Sequence, residues 1–79
     1  MAKITTDNIT KIEKNSRTHE NVSCTYNIFN DEGTTLIQFD TYGSKSRAIK
    51  DKISQSIQFD KETAKFIVSI LKKEFNLSE

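Results

Sequence analysis

Residues 53–77 read ISQSIQFDKETAKFIVSILKKEFNL, and in this stretch an alternating pattern changes to a helical one at Asp60. Before Asp60, apolar side chains fall on one side of an extended chain, which is typical of a strand. After it they recur at intervals of three and four, which is typical of one stripe of a helix. The Asp60 carboxylate can accept hydrogen bonds from the free amides of a first helical turn. We therefore predict a strand over 53–59 and a helix over 60–77.

The predicted helix is apolar on more than one side. A second stripe, made of Phe66, Ile70 and Leu77, lies beside Glu74 and well away from the first stripe, which runs from Ala64 to Phe75. A helix on one small sheet needs an apolar stripe of about a third of its circumference, whereas here the apolar arc exceeds half. We expect a second copy of the chain to cover the second stripe, because two-fold dimers are the commonest oligomers. The alternatives are that the chain's own N-terminus wraps over the stripe, or that Phe66 and Ile70 lie half-exposed at its edges.

A hairpin of two strands is predicted upstream. Apolar residues alternate over 22–28, which indicates a half-buried strand. Turn residues follow at 30–33, where Gly33 can take the left-handed conformation. A second alternating run over 35–42 completes the hairpin. Tyr26 falls on the face that we expect the helix to cover.

The N-terminal residues have a weaker pattern. Residues 1–7 are mostly polar and have only Ile4 to anchor them, so we expect them to fray. Residues 8–14 favour an edge strand, although their two isoleucines are also spaced for a helical turn.

These elements predict a single domain over residues 1–79 of the α+β class. An antiparallel meander of three to four strands over 8–59 is followed by one C-terminal amphipathic helix over 60–77. We expect the helix to pack on one face of the sheet.

The composition of the 79 residues sets limits on function. The formal net charge of +1 does not by itself indicate a nucleic-acid-binding protein. One cysteine cannot form an internal disulfide, and no apolar run approaches the roughly 20 residues of a membrane helix. We therefore expect a cytoplasmic protein with no membrane partner.

The sequence contains no motif for catalysis or cofactor binding. Cys24 falls on the inner side of a predicted strand, whereas a nucleophile needs exposure and a nearby base. His19 is the only histidine, and one His with one Cys cannot form an ordinary zinc site. We therefore expect neither an enzyme nor a cofactor or metal site.

The sheet face opposite the helix fits single-stranded nucleic acid, together with the loops beside it. That face carries short hydroxyl and amide side chains along with Phe29 and Tyr42, and Arg17 lies in an earlier loop. The loop over 43–52 contains four basic residues and one acid; the basic residues are Lys45, Arg47, Lys50 and Lys52. Cations can follow the phosphates while aromatic rings stack on bases. The alternative is a solvated sheet face and a lysine-rich hairpin tip.

Two segments carry a resemblance to a known family. Lys52-Ile53-Ser54 and Ile57-Gln58-Phe59-Asp60-Lys61-Glu62 form a final strand that leads through a cap and an acid into the helix. Over about Ile9 to Leu77, this pattern resembles the positive-cofactor-four family of single-stranded DNA-binding transcriptional coactivators. The resemblance implies that two chains pair through helices and sheets and bind single strands through basic and aromatic side chains. The residues implied in this sequence are Lys45, Arg47, Lys50, Lys52, Phe29 and Tyr42.

Two functions are therefore expected in competition. The first is a dimeric, non-catalytic binder of single-stranded DNA or RNA. The alternative is a small protein-interaction module, such as a phage or defence-associated inhibitor, that binds a larger protein. Salt separates them, because phosphate binding weakens steeply as ionic strength rises.

Overall fold

The computed structural model describes residues 1–43 and 52–78 of the chain. In chain order, the described elements are β1 (Ala2–Ile4), a 3-10 turn (Thr6–Asn8), β2 (Cys24–Asp31), β3 (Thr34–Tyr42), β4 (Ile53–Phe59) and α1 (Lys61–Phe75). The predicted α+β class, with one C-terminal helix after the strands, is confirmed.

The four described strands form one open sheet in the order β1-β4-β3-β2. The hairpin of β2 and β3 and the pairing of β3 with β4 are antiparallel, as the meander predicts. β1 differs, because it lies parallel to β4, with Ala2 opposite Ile57 and Ile4 opposite Phe59. The sheet is therefore mixed and not a strict meander.

The first strand lies closer to the N-terminus than the sequence pattern indicates. The expectation that residues 1–7 fray is wrong, since they form β1 and most of the 3-10 turn. The expectation of an edge strand over 8–14 is also wrong, since the chain from 9 to 23 forms neither helix nor strand. The amide of Asn8 donates to the carbonyl oxygen of Thr5 at 3.0 Å, and this turn ends the extended conformation before residue 8.

The hairpin closes through a two-residue turn between Asp31 and Thr34. Glu32 and Gly33 both have positive φ, at 50° and 85°. Such turns match the right-handed twist of the two strands that they connect, and glycine adopts this conformation without strain. The side-chain oxygen of Asn30 accepts a hydrogen bond from the amide of Gly33 at 3.0 Å.

The helix begins and ends where its capping residues place it. The Asp60 carboxylate accepts a hydrogen bond from the amide of Thr63 at 3.1 Å, which confirms Asp60 as the N-cap. At the other end Asn76 takes the left-handed conformation, and the amide of Leu77 donates to the carbonyl oxygen of Lys72 at 3.1 Å.

We expected the helix to cover the apolar face of the sheet, but much of that face is exposed. The apolar face remains open at Tyr26 and Ile28, which are 68% and 58% exposed. Ala64 of the helix lines a hollow of about 330 Å³ with Ile28, Ile37 and Phe59, and Leu36 also lines this hollow. Beyond that point the helix does not shield the outer strand. Among the described residues, the only buried apolar side chain is that of Leu36, which is 5% exposed and lies on the opposite face.

Candidate functional site

Several large apolar side chains of the sheet and the helix are exposed in the described chain. We define the apolar surface as Tyr26, Ile28, Ile57, Ala64, Val68, Leu71 and Phe75. The sheet and helix parts join at Ala64, which lines one hollow with Ile28 and a second hollow with Val68. Phe75, near the end of the helix, is 69% exposed. Surfaces of this kind on a small protein mark sites of interaction.

A row of three aromatic rings crosses β2, β3 and β4 within this face. The ring centroids of Tyr26 and Phe39 are 6.0 Å apart, and those of Phe39 and Phe59 are 5.8 Å apart. These separations are typical of favourable aromatic pairs. Contact with its neighbour therefore restrains the exposed Tyr26 ring before any partner binds.

The chain as a whole exposes more area than its mass requires. Its accessible surface is 7063 Å² at a mass of 9.1 kDa, whereas compact monomers of this mass expose about 4,900 Å². Its radius of gyration is 14.8 Å, against about 12 Å for a compact domain of this length. The excess area is large enough to form an interface with another molecule.

The opposite sheet face contains a cluster of hydrogen-bonded polar side chains. From the sequence, we predicted that this face binds single-stranded nucleic acid. Ser56 Oγ and Gln38 Nε2 donate to Oδ1 of Asp40 at 2.6 and 2.8 Å, and Gln58 Nε2 donates to Oε1 of Gln38 at 2.7 Å. Asp40 and Ser56 are 7% and 6% exposed. Because Oδ1 of Asp40 and Oε1 of Gln38 already accept hydrogen bonds within the cluster, these two oxygens are less available to a ligand.

The predicted nucleic-acid-binding residues are only partly brought together. Phe29 lies opposite Leu36, and the hydroxyl of Tyr42 is 3.1 Å from Thr25 Oγ1, so both aromatic residues lie on the face of the polar cluster. They stand near opposite ends of β3. Both are half-buried, and the carboxyl group of Asp40 lies between them along the strand.

The predicted cations are dispersed. Arg17 is exposed in the irregular segment before β2, and Lys52 is exposed immediately before β4. Lys45, Arg47 and Lys50 lie outside the described residues.

The stripe predicted as a dimer interface faces the chain's own N-terminal segment in part. Phe66 and Ile70 line a hollow of about 500 Å³ together with Ile9 and Ile12. Leu77 is exposed beyond the end of the helix. The structure thus favours the alternative in which the leading segment lies beside this stripe, although Ile70 and Ile12 remain exposed at its surface.

One residue that holds the helix to the sheet was missed by sequence reasoning. Thr63 is 1% exposed, and its hydroxyl donates to the carbonyl oxygen of Ile4 at 3.3 Å. Thr6 Oγ1 donates to Thr63 Oγ1 at 3.4 Å. A threonine in the first turn of a helix gives no local signal of burial, since its partners belong to the N-terminus.

No helix in the described ranges has the length and apolar character needed to cross a membrane. Searches of protein-family models, of curated proteins and of solved structures each found no match to this chain.

Proposed function

We propose that this protein is a non-catalytic protein-interaction module whose apolar surface is covered by another polypeptide chain. The observation that carries the proposal is that large apolar side chains are exposed, while polar side chains such as Asp40 and Ser56 are buried. Tyr26 and Phe75 are exposed, while Leu36 is the only buried apolar side chain in the described part of the chain. Large aromatic side chains on an open surface are the usual anchors of protein interfaces.

The excess area is more than one partner contributes to a standard interface. A standard interface buries about 800 Å² on each partner, and the chain exposes roughly 2,000 Å² more than a compact monomer of its mass. Burying one large apolar side chain contributes about 1.5–3 kcal/mol. A domain of 79 residues is near the lower limit of what a single core can stabilise. Association would supply the burial that the separate chain lacks.

The surroundings of the surface also suit a protein partner. Lys61, Lys65 and Lys72 line the hollow that contains Ala64 and Val68, so cations surround an apolar centre. An apolar centre with a polar rim is typical of protein interfaces. The net charge of +1 adds little long-range attraction for a polyanion.

Two measurements on the purified chain test the proposal. Light scattering gives the mass in solution, and binding of 8-anilinonaphthalene sulfonate reports accessible apolar surface. We expect either a mass above 9.1 kDa or a single chain that binds the dye strongly. A single chain without dye binding would mean that the surface is closed, and the proposal would then be wrong.

A matched pair of lysine variants tests whether the apolar surface is the site of association. Tyr26→Lys puts a charge on this surface, whereas Thr25→Lys puts the same charge on the opposite face of the same strand. We expect Tyr26→Lys to remove association or dye binding, and Thr25→Lys to retain it. Equal effects of the two variants would contradict the assignment of the surface.

Single-stranded DNA or RNA is the second candidate ligand. Its support is the location of Phe29 and Tyr42 on one sheet face, with Lys52 exposed just before β4. A labelled oligonucleotide should then show an anisotropy change that weakens steeply with salt. Joint replacement Lys45→Glu and Arg47→Glu should abolish that change. No change at low salt would exclude this candidate.

Membership of the coactivator-like family, a role in transcription regulation and a cytoplasmic location stay predictions from the sequence. The family resemblance implies the nucleic-acid ligand, whereas a cytoplasmic location fits either ligand class. The oligonucleotide titration is the first test of the family resemblance.

A further inference from the structure

Within residues 1–43 and 52–78, no strand pairs with the outer edge of β2, which carries a regular set of backbone groups. β2 is the last strand of the sheet and pairs with β3 on its inner side. The amide of Tyr42 donates to the carbonyl oxygen of Ser23 at 3.1 Å. In an antiparallel ladder, alternate residues bond the same neighbour. The odd-numbered residues of β2 therefore bond β3, and the even-numbered ones direct their N–H and C=O groups outward.

This edge lacks the features that normally prevent strand pairing. Edge strands are commonly protected by short length, proline, or inward or lateral charges such as lysine. β2 has eight residues, contains no proline or lysine, and carries its single charge at its last residue, Asp31. β1, at the other edge, has three residues and includes Lys3. The contrast identifies β2 as the edge suited to pairing.

We propose that β2 pairs antiparallel with β2 of a second copy of this chain, and so extends the sheet to eight strands. The inference rests on the proposed function and names a second copy of this chain as the polypeptide that meets the apolar surface along its β2 edge. The outward-directed residues include Tyr26 and Ile28, whose side chains lie on that surface. A two-fold axis perpendicular to the sheet keeps both apolar faces on the same side. Tyr26 and Ile28 of the two copies then pack together across the new ladder.

A second copy fits this edge because the edge is complementary to itself. Two antiparallel copies present the same alternating donors and acceptors in opposite directions. Asp31 is at one end of β2, so the two-fold axis places the two carboxyl groups at opposite ends of the ladder. A net charge of +1 per chain gives little repulsion between copies.

Amide hydrogen exchange, measured residue by residue by NMR, tests the pairing directly. In the associated state the amides of Tyr26, Ile28 and Asn30 should exchange as slowly as those of Thr25 and Asn27. On dilution to the single chain, the even-numbered amides should exchange about tenfold faster or more, while the odd-numbered ones stay protected by β3. Light scattering on the same samples gives the mass.

Three results would overturn the inference. If the chain associates while the even-numbered amides stay fast, the interface lies elsewhere and the proposed function stands. If the chain is single at every concentration but binds the apolar dye, its partner is another protein. A single chain without dye binding would remove the proposed function as well.

A proline variant provides an independent test. Ile28→Pro removes an outward N–H without removing a hydrogen bond to β3, and proline is tolerated at such edge positions. We expect its mass to fall by half relative to the wild type, whereas Ile28→Ala, which keeps the N–H, should still associate. Should Ile28→Pro fail to fold, Asn30→Lys adds a charge at the edge and should give the same loss. An unchanged mass in the folded variant would overturn the inference.

Discussion

The hydroxyl of Thr63 donates to the carbonyl oxygen of Ile4 at 3.3 Å, although the two residues are 59 positions apart in the chain. The contact ties the first turn of α1 to the end of β1. β1 in turn pairs with β4, the strand that leads into the helix. The N-terminus, the last strand and the helix are therefore held at a single junction.

Removing the Thr63 hydroxyl should weaken this junction. Thr63→Val keeps the shape of the side chain but leaves the Ile4 carbonyl oxygen without its side-chain donor. We expect the free energy of unfolding to fall by about 1–3 kcal/mol, as measured by urea denaturation at one fixed chain concentration. Ser69→Ala removes an exposed hydroxyl from the same helix and should change it by about 0.5 kcal/mol or less. Equal stability of Thr63→Val and wild type would argue against the junction.

The Asp60 cap should make stability depend on pH in the acid range. The backbone amide of Thr63, which donates to the carboxylate, is the main cause that lowers the pKa of Asp60 from its ordinary value of 3.8. A folded-state pKa below the unfolded one stabilises the fold above the unfolded value, and this contribution is lost as pH falls through the folded value. Asp60→Asn keeps a capping oxygen but does not titrate.

We therefore expect the urea midpoint of wild type to fall relative to that of Asp60→Asn as the pH decreases from about 6 to about 2.5. Glu20→Gln, in the exposed irregular segment, should keep the wild-type profile. Parallel profiles for wild type and Asp60→Asn would show that the cap does not contribute to the acid dependence.

The parts of the fold that the sequence predicted are those set by local chemistry. The change from strand to helix at Asp60 depends on a carboxylate and amides within one turn. The hairpin depends on alternation and on a turn in which Gly33 takes a positive φ. Both can be read within about ten residues, since no distant partner is needed.

What could not be predicted depends on distant partners. β1 has three residues and becomes a strand only because Ile4 lies beside Phe59, near the far end of the chain. The alternation of apolar and polar residues along a strand also assigns side chains to two sheet faces, but it does not show which face the rest of the chain buries. The pattern predicts that Tyr26 faces the helix, yet its side chain is exposed. Asp40 and Ser56 have polar side chains, yet they are buried. Mutual hydrogen bonding makes that burial possible.

The buried pair of Asp40 and Ser56 should be energetically coupled. Ser56 Oγ lies 2.6 Å from Oδ1 of Asp40. In a double-mutant cycle with Asp40→Ala and Ser56→Ala, we expect a coupling of about 0.5–3 kcal/mol in the free energy of unfolding. The pair of exposed Thr25 and half-buried Tyr42, treated in the same way, should give a smaller coupling. Strict additivity for Asp40 and Ser56 would mean that the cluster does not stabilise the sheet.

Two lysine substitutions decide between the apolar surface and the helix stripe predicted from the sequence. Ile70 lines a hollow with Ile9 and Ile12 of the same chain, whereas Tyr26 lies open on the sheet. We expect Ile70→Lys to lower the free energy of unfolding while the mass by light scattering stays that of wild type. Tyr26→Lys should instead reduce the mass to that of a single chain and leave the far-UV spectrum intact. A buried charge at an interface opposes association. Dissociation by Ile70→Lys alone would therefore show that the interface is the stripe of Phe66 and Ile70.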